Sequence, residues 1–166
     1  TTLFRSCLND ILSDFNNGKI KLPAVWKSAK FGYDGKGVKI IRNFDEIKSL
    51  PDVECLIEKK IEIKKEISVI VARNQDKKEI CFPAVEMEFN SDSNLVEYIM
   101  CPANISKEIE EKAYEIALRT ARKLNSVGLL AVELFLTIKD EILINEVAPR
   151  PHNSGHHTIE CCLTSQ

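Results

Sequence analysis

The chain has 166 residues, with 23 basic and 25 acidic side chains and a formal net charge of −2 at pH 7. This near balance gives no indication of a polyanion-binding surface or a polybasic membrane patch. Its uninterrupted apolar runs are far shorter than the roughly 20 residues that a membrane-spanning helix needs. The length suffices for one domain, or for two small subdomains that share a cleft, with a sizeable core.

The N-terminal sequence and the cysteines indicate whether the chain is part of a longer protein and which redox compartment it occupies. The N-terminal sequence TTLFRSCLND has neither an initiator Met nor a signal pattern, and we expect a piece of a longer protein. The six cysteines include no CxxC pair of the kind that binds zinc. We therefore expect reduced thiols in a cytoplasmic protein.

The predicted elements mix strands and helices without regular alternation, which favours an α+β fold. An N-terminal helix with Ser6 as its N-cap and Gly18 as its terminator is predicted from the helical spacing of Phe4, Cys7, Leu8, Ile11, Leu12 and Phe15. A short helix capped by Asn43 and Glu46 is predicted to end before Pro51. An amphipathic helix is predicted from Ser106 to Leu124. The predicted strands before the last helix are KLPAVWKS, VKIIR, Glu54–Glu58, Ile67–Arg73, Ile80–Val85 and Val96–Met100.

The segment after that helix predicts a β-hairpin. AVELFLTI and EILINEVA are apolar, β-prone runs, and Lys139-Asp140 between them suits a two-residue turn. With that turn Glu133 lies opposite Glu146, with β-carbons roughly 4.5–5.5 Å apart. Such like charges need neutralisation, and a divalent cation with a preference for oxygen, such as magnesium, is the candidate. The alternatives are a slipped register, or a Glu133 that faces solvent on an edge strand.

A glycine-rich segment, KSAKFGYDGKG, joins two of the predicted strands. Its glycines Gly32, Gly35 and Gly37 allow close approach of the backbone to a ligand and can present N–H groups to phosphate oxygens. Lys27 and Lys36 could add positive charge. The pattern matches neither a P-loop nor a dinucleotide fingerprint, and an ordinary glycine-rich hairpin turn is the alternative.

The segment EKKIEIKKE, Glu58 to Glu66, alternates apolar and charged residues. It fits a solvated edge strand. It also fits a hinge whose backbone meets a purine, with a downstream carboxylate on the ribose hydroxyls.

The last polar segment, Arg150 to His157, follows the hairpin directly and carries one guanidinium, three imidazoles and an amide. Pro151 and the Asn-Ser-Gly stretch argue against a helical zinc pair. The segment is either a polar loop with a structural His or an anion pocket beside the metal carboxylates.

The motifs INEVAPRPHNSGHHT, the following TSQ, and GYDGKG occur in a recognisable order. The chain resembles, over essentially its whole length, the ATP-grasp domain of the 5-(carboxyamino)imidazole ribonucleotide synthase family, ATP-dependent enzymes of purine biosynthesis. Many ATP-grasp enzymes carry Asn at the position that is Ala148 here. The alanine, together with the Pro-Arg and His-Asn-Ser-Gly-His residues that follow it, resembles this family more than ATP-grasp enzymes in general. The resemblance implies an α+β ATP-grasp fold that grips ATP between a small lid-like subdomain, residues 1–51, and a larger one, residues 52–166.

The resemblance also implies site residues, with ATP and magnesium (Mg2+) as cofactors. Lys27 matches the family's lysine that contacts the ATP phosphates. The family's loop that covers the phosphates corresponds to Gly32, Tyr33, Asp34, Gly35, Lys36, Gly37 and Val38. Of these, Tyr33, Asp34 and Lys36 would face aminoimidazole ribonucleotide. The adenine hinge matches Glu58, Lys59, Lys60 and Ile61, and the ribose acid matches Glu66. The magnesium carboxylates match Glu133 and Glu146, with Asn145 beside them, and the bicarbonate pocket matches Arg150, His152 and Asn153.

The implied activity is carboxylation of aminoimidazole ribonucleotide by bicarbonate, through carboxyphosphate formed from ATP. No nucleic acid or membrane partner is expected, and full-length family members are expected to be homodimers. One family histidine is replaced by Glu88 or Phe89 in EMEFN. The family's N-terminal Rossmann-like domain and C-terminal segment are missing from the sequence, so we expect the isolated chain to be inactive. Another ATP-grasp ligase and a non-catalytic nucleotide-binding module remain as alternatives.

Overall fold

The computed structural model describes residues 2–30, 37–90 and 96–166. The chain divides into two compact units, with the described residues up to Ile61 in the first and those from Glu62 onward in the second. No helix in the described ranges is long and apolar enough to cross a membrane. The elements in chain order are β1 (Thr2–Arg5), α1 (Leu8–Asn16), β2 (Ala24–Ser28), β3 (Val38–Ile41), α2 (Phe44–Lys48), β4 (Cys55–Lys59), β5 (Ile63–Arg73), β6 (Glu79–Cys81), β7 (Val85–Phe89), β8 (Val96–Met100), α3 (Lys107–Lys123), β9 (Gly128–Thr137), β10 (Ile142–Ala148) and α4 (Thr158–Cys161).

The first unit is built on a four-stranded antiparallel sheet in the order β1-β4-β2-β3. Its core joins α1 and α2 to the sheet through the buried side chains Ile11, Ile47, Trp26 and Ile57. The predicted N-terminal helix begins one residue later than expected, with Cys7 instead of Ser6 at the N-cap, and Phe4 of the predicted apolar stripe lies in the strand Thr2–Arg5, which pairs with β4. The predicted cap of α2 is confirmed, since the Asn43 side chain accepts a hydrogen bond from the Glu46 N–H at 3.0 Å.

The boundary between the units lies after Ile61 rather than after Pro51, the position suggested by the sequence. The reason is the pairing of β4. Cys55–Lys59 lies between β1 and β2 in the first sheet, so the ten residues after Pro51 fold with the N-terminal part of the chain.

The second unit is built on a six-stranded antiparallel sheet, in which β10-β9-β5-β7-β8 are neighbours and β6 pairs with the end of β5. Helix α3 packs on one face of this sheet. Its small side chains Ala113, Ala117 and Ala121 are fully buried and recur every four residues, which lets the helix lie close to the strands. The strand residues in this core alternate along β5 and β9, and they are Ile67, Val69, Val71, Leu130, Val132 and Leu134.

The predicted strand Ile80–Val85 is two strands in the structure. β6 pairs with Val71–Arg73 of β5, whereas β7 pairs with Glu66–Ser68 of the same strand. Pro83 lies between them, and a proline has no N–H to donate to a ladder. The break at this proline therefore divides the partner of β5 into two short pieces.

The hairpin of β9 and β10 has a three-residue connection, so the predicted two-residue turn at Lys139-Asp140 is wrong. Thr137 N–H donates to the Glu141 carbonyl at 2.9 Å, which closes the ladder around Ile138, Lys139 and Asp140. Asp140 takes a left-handed backbone, with φ of 57°, as the last residue of such a loop commonly does.

Candidate active site

The face of the second sheet opposite α3 carries three acidic side chains from neighbouring strands. Ile67 and Val69 of β5 pack beneath α3. Because neighbouring residues of a strand point to opposite faces, Glu66 and Ser68 lie on the face away from α3. Glu133 of β9 is the register partner of Ser68, and Glu146 of β10 is the partner of Glu133. Three strands thus bring three carboxylates to one face of the sheet.

A β-bulge sets the register of the two carboxylates in the hairpin. The pairs Ile142–Leu136 to Ile144–Leu134 follow one register, and the pairs from Glu146–Glu133 onward follow another, shifted by one residue. Asn145 is the extra residue, and two residues of a bulged strand oppose a single residue of its partner. Asn145 and Glu146 therefore both lie opposite Glu133, as expected for an amide beside the carboxylate pair.

Glu133, Glu146 and His152 form a cluster of ligand-type groups, whose atoms lie within 4.8 Å of one another. The Nδ1 atom of His152 is 3.6 Å from Oε1 of Glu133, and its Nε2 atom is 3.9 Å from Oε1 of Glu146. The side chains of Glu133 and His152 are 12% and 10% exposed, whereas that of Glu146 is 57% exposed. The cluster is thus buried on one side and open on the other.

The ring of His152 is held by a short buried chain of hydroxyl groups. Ser154 Oγ lies 3.2 Å from His152 Nδ1, and Ser68 Oγ donates to Ser154 Oγ at 2.9 Å. Ser68 and Ser154 are almost completely buried. The 3₁₀ turn Asn153–Gly155 brings Ser154 beneath the ring, so the loop that follows the hairpin is attached to β5.

The backbone of His152 is held separately, by the amide of Gln166. Its Oε1 atom accepts from the His152 N–H at 2.9 Å, and its Nε2 atom donates to the His152 carbonyl at 2.8 Å. The Gln166 N–H donates to Thr158 Oγ1, which donates to the Gly155 carbonyl. Both the ring and the backbone of His152 therefore have fixed partners.

Gly155 is packed tightly within this loop. A β-carbon at Gly155 would lie 2.5 Å from the side chains of both Gln166 and Ile70. Its backbone has no left-handed requirement, so the constraint is one of space.

Burial lowers the pKa of His152 below its ordinary value of 6.5, and the charge of Arg150 lowers it further. Glu146 opposes this shift, because its negative charge favours the charged ring and raises the pKa of His152. His156 has the opposite effect and lowers that pKa. The ring is therefore neutral at physiological pH, when one nitrogen carries a proton and the other offers a lone pair.

In the first unit, Lys27 of β2 has its ammonium 2.9 Å from Oε2 of Glu58 in β4. Both side chains are a little more than one quarter exposed. Gly37, at the end of the glycine-rich segment, has φ of 80°, a conformation that favours glycine, and its carbonyl accepts from the Ser28 N–H. Val38 begins β3 as the partner of Lys27. The structure thus joins the predicted phosphate lysine to the start of the predicted hinge.

The other predicted site residues are distributed as follows. Lys59 ends β4, and Lys60 and Ile61 are the last of the described residues in the first unit. Arg150 and Asn153 are exposed beside His152, with Arg150 Nη1 donating to the Pro151 carbonyl at 2.9 Å. The remaining predicted positions lie outside the described residues, and they are Gly32, Tyr33, Asp34, Gly35 and Lys36.

The comparison with known families agrees with this geometry. The model of the ATP-grasp domain matches residues 8–166. The chain belongs to the ATP-grasp family. Its predicted α+β ATP-grasp fold is confirmed by similarity to a solved ADP complex of N5-carboxyaminoimidazole ribonucleotide synthetase, with a TM-score of 0.90 at 38% identity over 99% of this chain and 44% of that one.

Other members of the ATP-grasp family that resemble this chain carry related names. The N5-carboxyaminoimidazole ribonucleotide synthase of Bacillus subtilis (strain 168) is 41% identical over 152 residues, which cover 89% of this chain and 40% of the relative. The Aspergillus clavatus synthase, solved with ADP and 5-aminoimidazole ribonucleotide, has a TM-score of 0.86 at 28% identity, covering 99% of this chain and 43% of that one. The chain therefore spans less than half the length of these relatives.

Three residues that hold the candidate site together were not assigned from the sequence. Ser68 is the single polar residue in the apolar run ISVIVA, and a polar residue within a buried strand could have drawn attention. Ser154 was visible only as a member of the Arg150–His157 loop. The role of Gln166 depends on contacts between distant residues, which no local pattern contains.

Proposed function

We propose that this chain is the ATP-grasp portion of an enzyme that carboxylates the exocyclic amine of 5-aminoimidazole ribonucleotide. The enzyme would use ATP to activate bicarbonate as carboxyphosphate, with ADP and then phosphate as the other products. The observation that carries the proposal is the cluster of Glu133, Glu146 and His152, with Arg150 and Asn153 next to it in the loop. The names of the similar proteins support the same reaction.

The two glutamates fit a magnesium ion. They lie opposite each other in the hairpin, and their carboxylates are oxygen ligands of the kind that magnesium prefers. Glu146 is exposed enough to admit waters that would complete such a site. When bound, the ion would neutralise charge on the phosphates of ATP.

The proposed roles of the protein's residues are positioning and charge neutralisation, as in phosphoryl transfer generally. Glu66 lies on the same face of the sheet as Glu133, two positions before Ser68, the register partner of Glu133. The carboxylate of Glu66 could accept hydrogen bonds from ribose hydroxyls there. Asn145, brought to this face by the bulge, could donate to a nucleotide oxygen. Lys27 would exchange its contact with Glu58 for a phosphate oxygen.

The loop after the hairpin fits the binding of the anion derived from bicarbonate. Arg150 offers an exposed guanidinium with donors beyond the one used by the Pro151 carbonyl. The neutral ring of His152 can donate one hydrogen bond into the cluster, and Asn153 adds an exposed amide. These donors would stabilise negative charge that develops during transfer of the phosphoryl group.

Cytoplasmic location is part of the proposal, because free thiols persist in a reducing compartment. All six cysteines of the chain are free.

The proposal is tested with a protein that carries this chain together with the remaining segments of its relatives. Phosphate release from MgATP should require both bicarbonate and aminoimidazole ribonucleotide for its full rate, and labelled bicarbonate should enter the product. If another carboxylate replaces bicarbonate, the protein is a different ATP-grasp ligase. If MgATP binds and phosphate is not released under any of these conditions, the protein is a non-catalytic nucleotide-binding module.

A further inference from the structure

The hydrogen-bonded chain from Ser68 to His152 has a defined direction. The N–H of Ser154 points to Nδ1 of His152 at 3.5 Å, and a backbone N–H can only donate. Nδ1 must therefore offer its lone pair. Ser154 Oγ, at 3.2 Å, can then donate its own proton to Nδ1 while it accepts from Ser68 Oγ at 2.9 Å.

This direction fixes the tautomer of the neutral ring. With Nδ1 unprotonated, the ring proton is on Nε2, the nitrogen 3.9 Å from Oε1 of Glu146. Nδ1 lies 3.6 Å from Oε1 of Glu133 but 3.2 Å from Ser154 Oγ, so the serine hydroxyl is the nearer partner of this nitrogen. The N–H of the ring consequently faces the more exposed of the two carboxylates.

We propose that Ser68 is a positioning residue, which acts through Ser154 to hold His152 as the Nε2–H tautomer with that N–H directed into the carboxylate cluster. Ser68 contributes no atom to the substrate-binding surface, because it is 1% exposed beneath the loop. The role rests on the proposed function, in which His152 donates to the anion derived from bicarbonate. The same hydrogen bonds also keep Nδ1 occupied, so the nitrogen nearer to Glu133 is unavailable as a metal ligand.

A merely structural role for Ser68 would predict a different outcome. In that case its hydroxyl would fasten the loop to β5, and its loss would lower stability without a change in the tautomer of His152. The two roles are therefore distinguished by the protonation pattern of one imidazole ring.

The first measurement uses the chain labelled with ¹⁵N-histidine, observed by long-range proton–nitrogen NMR at a pH where all three rings are neutral. The wild-type His152 should show an unprotonated Nδ1 and a protonated Nε2. In Ser68→Ala and in Ser154→Ala the signals should shift toward a mixture of tautomers. Thr120→Ala is the control, since it removes a hydroxyl that donates to the Ile116 carbonyl within α3. A wild-type ring with its proton on Nδ1 would overturn the proposal, and so would an unchanged tautomer in Ser68→Ala.

The second measurement is kinetic and uses the longer protein described under the proposed function. Loss of a residue that orients a functional group commonly costs between about tenfold and a hundredfold in activity, so Ser68→Ala should lower kcat by at least about tenfold. The KM for MgATP should change by less than about twofold, because the nucleotide contacts remain. Normal kcat in Ser68→Ala contradicts the positioning role, whereas the expected tautomer in a wild type without bicarbonate-dependent turnover contradicts the proposed function alone.

Discussion

Glu146 lies directly opposite Glu133 because Asn145 is an extra residue in β10. The three-residue connection at Ile138–Asp140 would by itself bring Asn145 opposite Glu133 and turn Glu146 to the face under α3. The bulge shifts the register by one residue and restores the carboxylate pair. One irregularity in the turn and one in the strand thus compensate each other, and the acidic cluster depends on both.

The facing carboxylates predict opposite effects of Glu133→Gln with and without nucleotide. Without nucleotide the variant should be as stable as wild type or slightly more stable, because like-charge repulsion is removed. Wild type should gain about 2.7 kcal/mol at a MgATP concentration about 100-fold above its dissociation constant, and the variant should gain much less. Thermal denaturation with and without MgATP measures both effects.

Glu141→Gln is the matched control for this experiment, since it removes the same charge from an exposed position in the same hairpin. It should retain the full stabilisation by MgATP. Full stabilisation in Glu133→Gln as well would contradict the assignment of Glu133 to the metal site.

His152→Ala should separate nucleotide binding from turnover in the longer protein. Removal of the imidazole takes away a donor beside the carboxylates but leaves Glu66, Asn145 and the glutamate pair in place. We expect bicarbonate-dependent phosphate release to fall about 100-fold, and the affinity for MgATP to change little. His156→Ala, in the same loop but exposed, should retain near-normal turnover. Parallel losses of binding and turnover in His152→Ala would indicate that the histidine holds nucleotide instead.

Gln166→Glu should destabilise the second unit at neutral pH. The substitution replaces the Nε2 donor with an oxygen, which would face the His152 carbonyl in place of the hydrogen bond at 2.8 Å. Leaving a buried polar group unsatisfied costs about 1–3 kcal/mol, and this should appear as a lower midpoint of urea unfolding. Gln75→Glu makes the same chemical change in the exposed loop between β5 and β6 and should have almost no effect. Equal effects of the two variants would mean that the Gln166 amide does not stabilise the loop.

Asp14 should make the stability of the first unit depend on pH in the acid range. Its hydrogen bond with Lys19, and its contact with Arg5, hold the pKa of Asp14 below its ordinary value of 3.8. A carboxylate with a lowered folded pKa stabilises fully above its unfolded pKa, and that stability is lost as the pH falls toward the folded value.

Asp14→Asn should therefore lower the melting temperature at pH 7, and its difference from wild type should narrow as the pH is taken below 3.8. Asp45→Asn, which removes a carboxylate that is 89% exposed, is the control and should show a much smaller loss. A constant difference between Asp14→Asn and wild type from pH 7 to pH 3 would contradict the lowered pKa.

The elements with strong local signals were predictable from the sequence. Ser106–Leu124 brackets the observed helix Lys107–Lys123 because its apolar stripe and its N-cap are both local features. Val96–Met100 is observed with the predicted bounds. The pairing of Glu133 with Glu146 was also predicted, although the turn on which that prediction rested was wrong and the bulge supplied the missing residue.

The remainder could not be read locally, since it depends on pairing between distant segments. Thr2–Arg5 becomes a strand only because β4 offers it an edge, and the same pairing moves the boundary of the first unit to Ile61. His152 is held through residues that are far apart in sequence, since Ser68 is 86 positions from Ser154 and Gln166 is 14 positions from His152. Sequence patterns indicated the charged and polar groups of the candidate site, but not the side chains that hold His152 in place.

The tight packing of Gly155 has a consequence for mutational tolerance. A methyl group there would displace the amide of Gln166 or the end of Ile70, and moving the amide would break its hydrogen bonds with His152. In a saturation mutagenesis scan, substitutions at Gly155 should therefore lower activity as strongly as substitutions of site residues, although glycine has no functional side chain. The loss of activity would come from a displaced imidazole, and a second substitution that shortens Ile70, such as Ile70→Val, is where a suppressor should be sought.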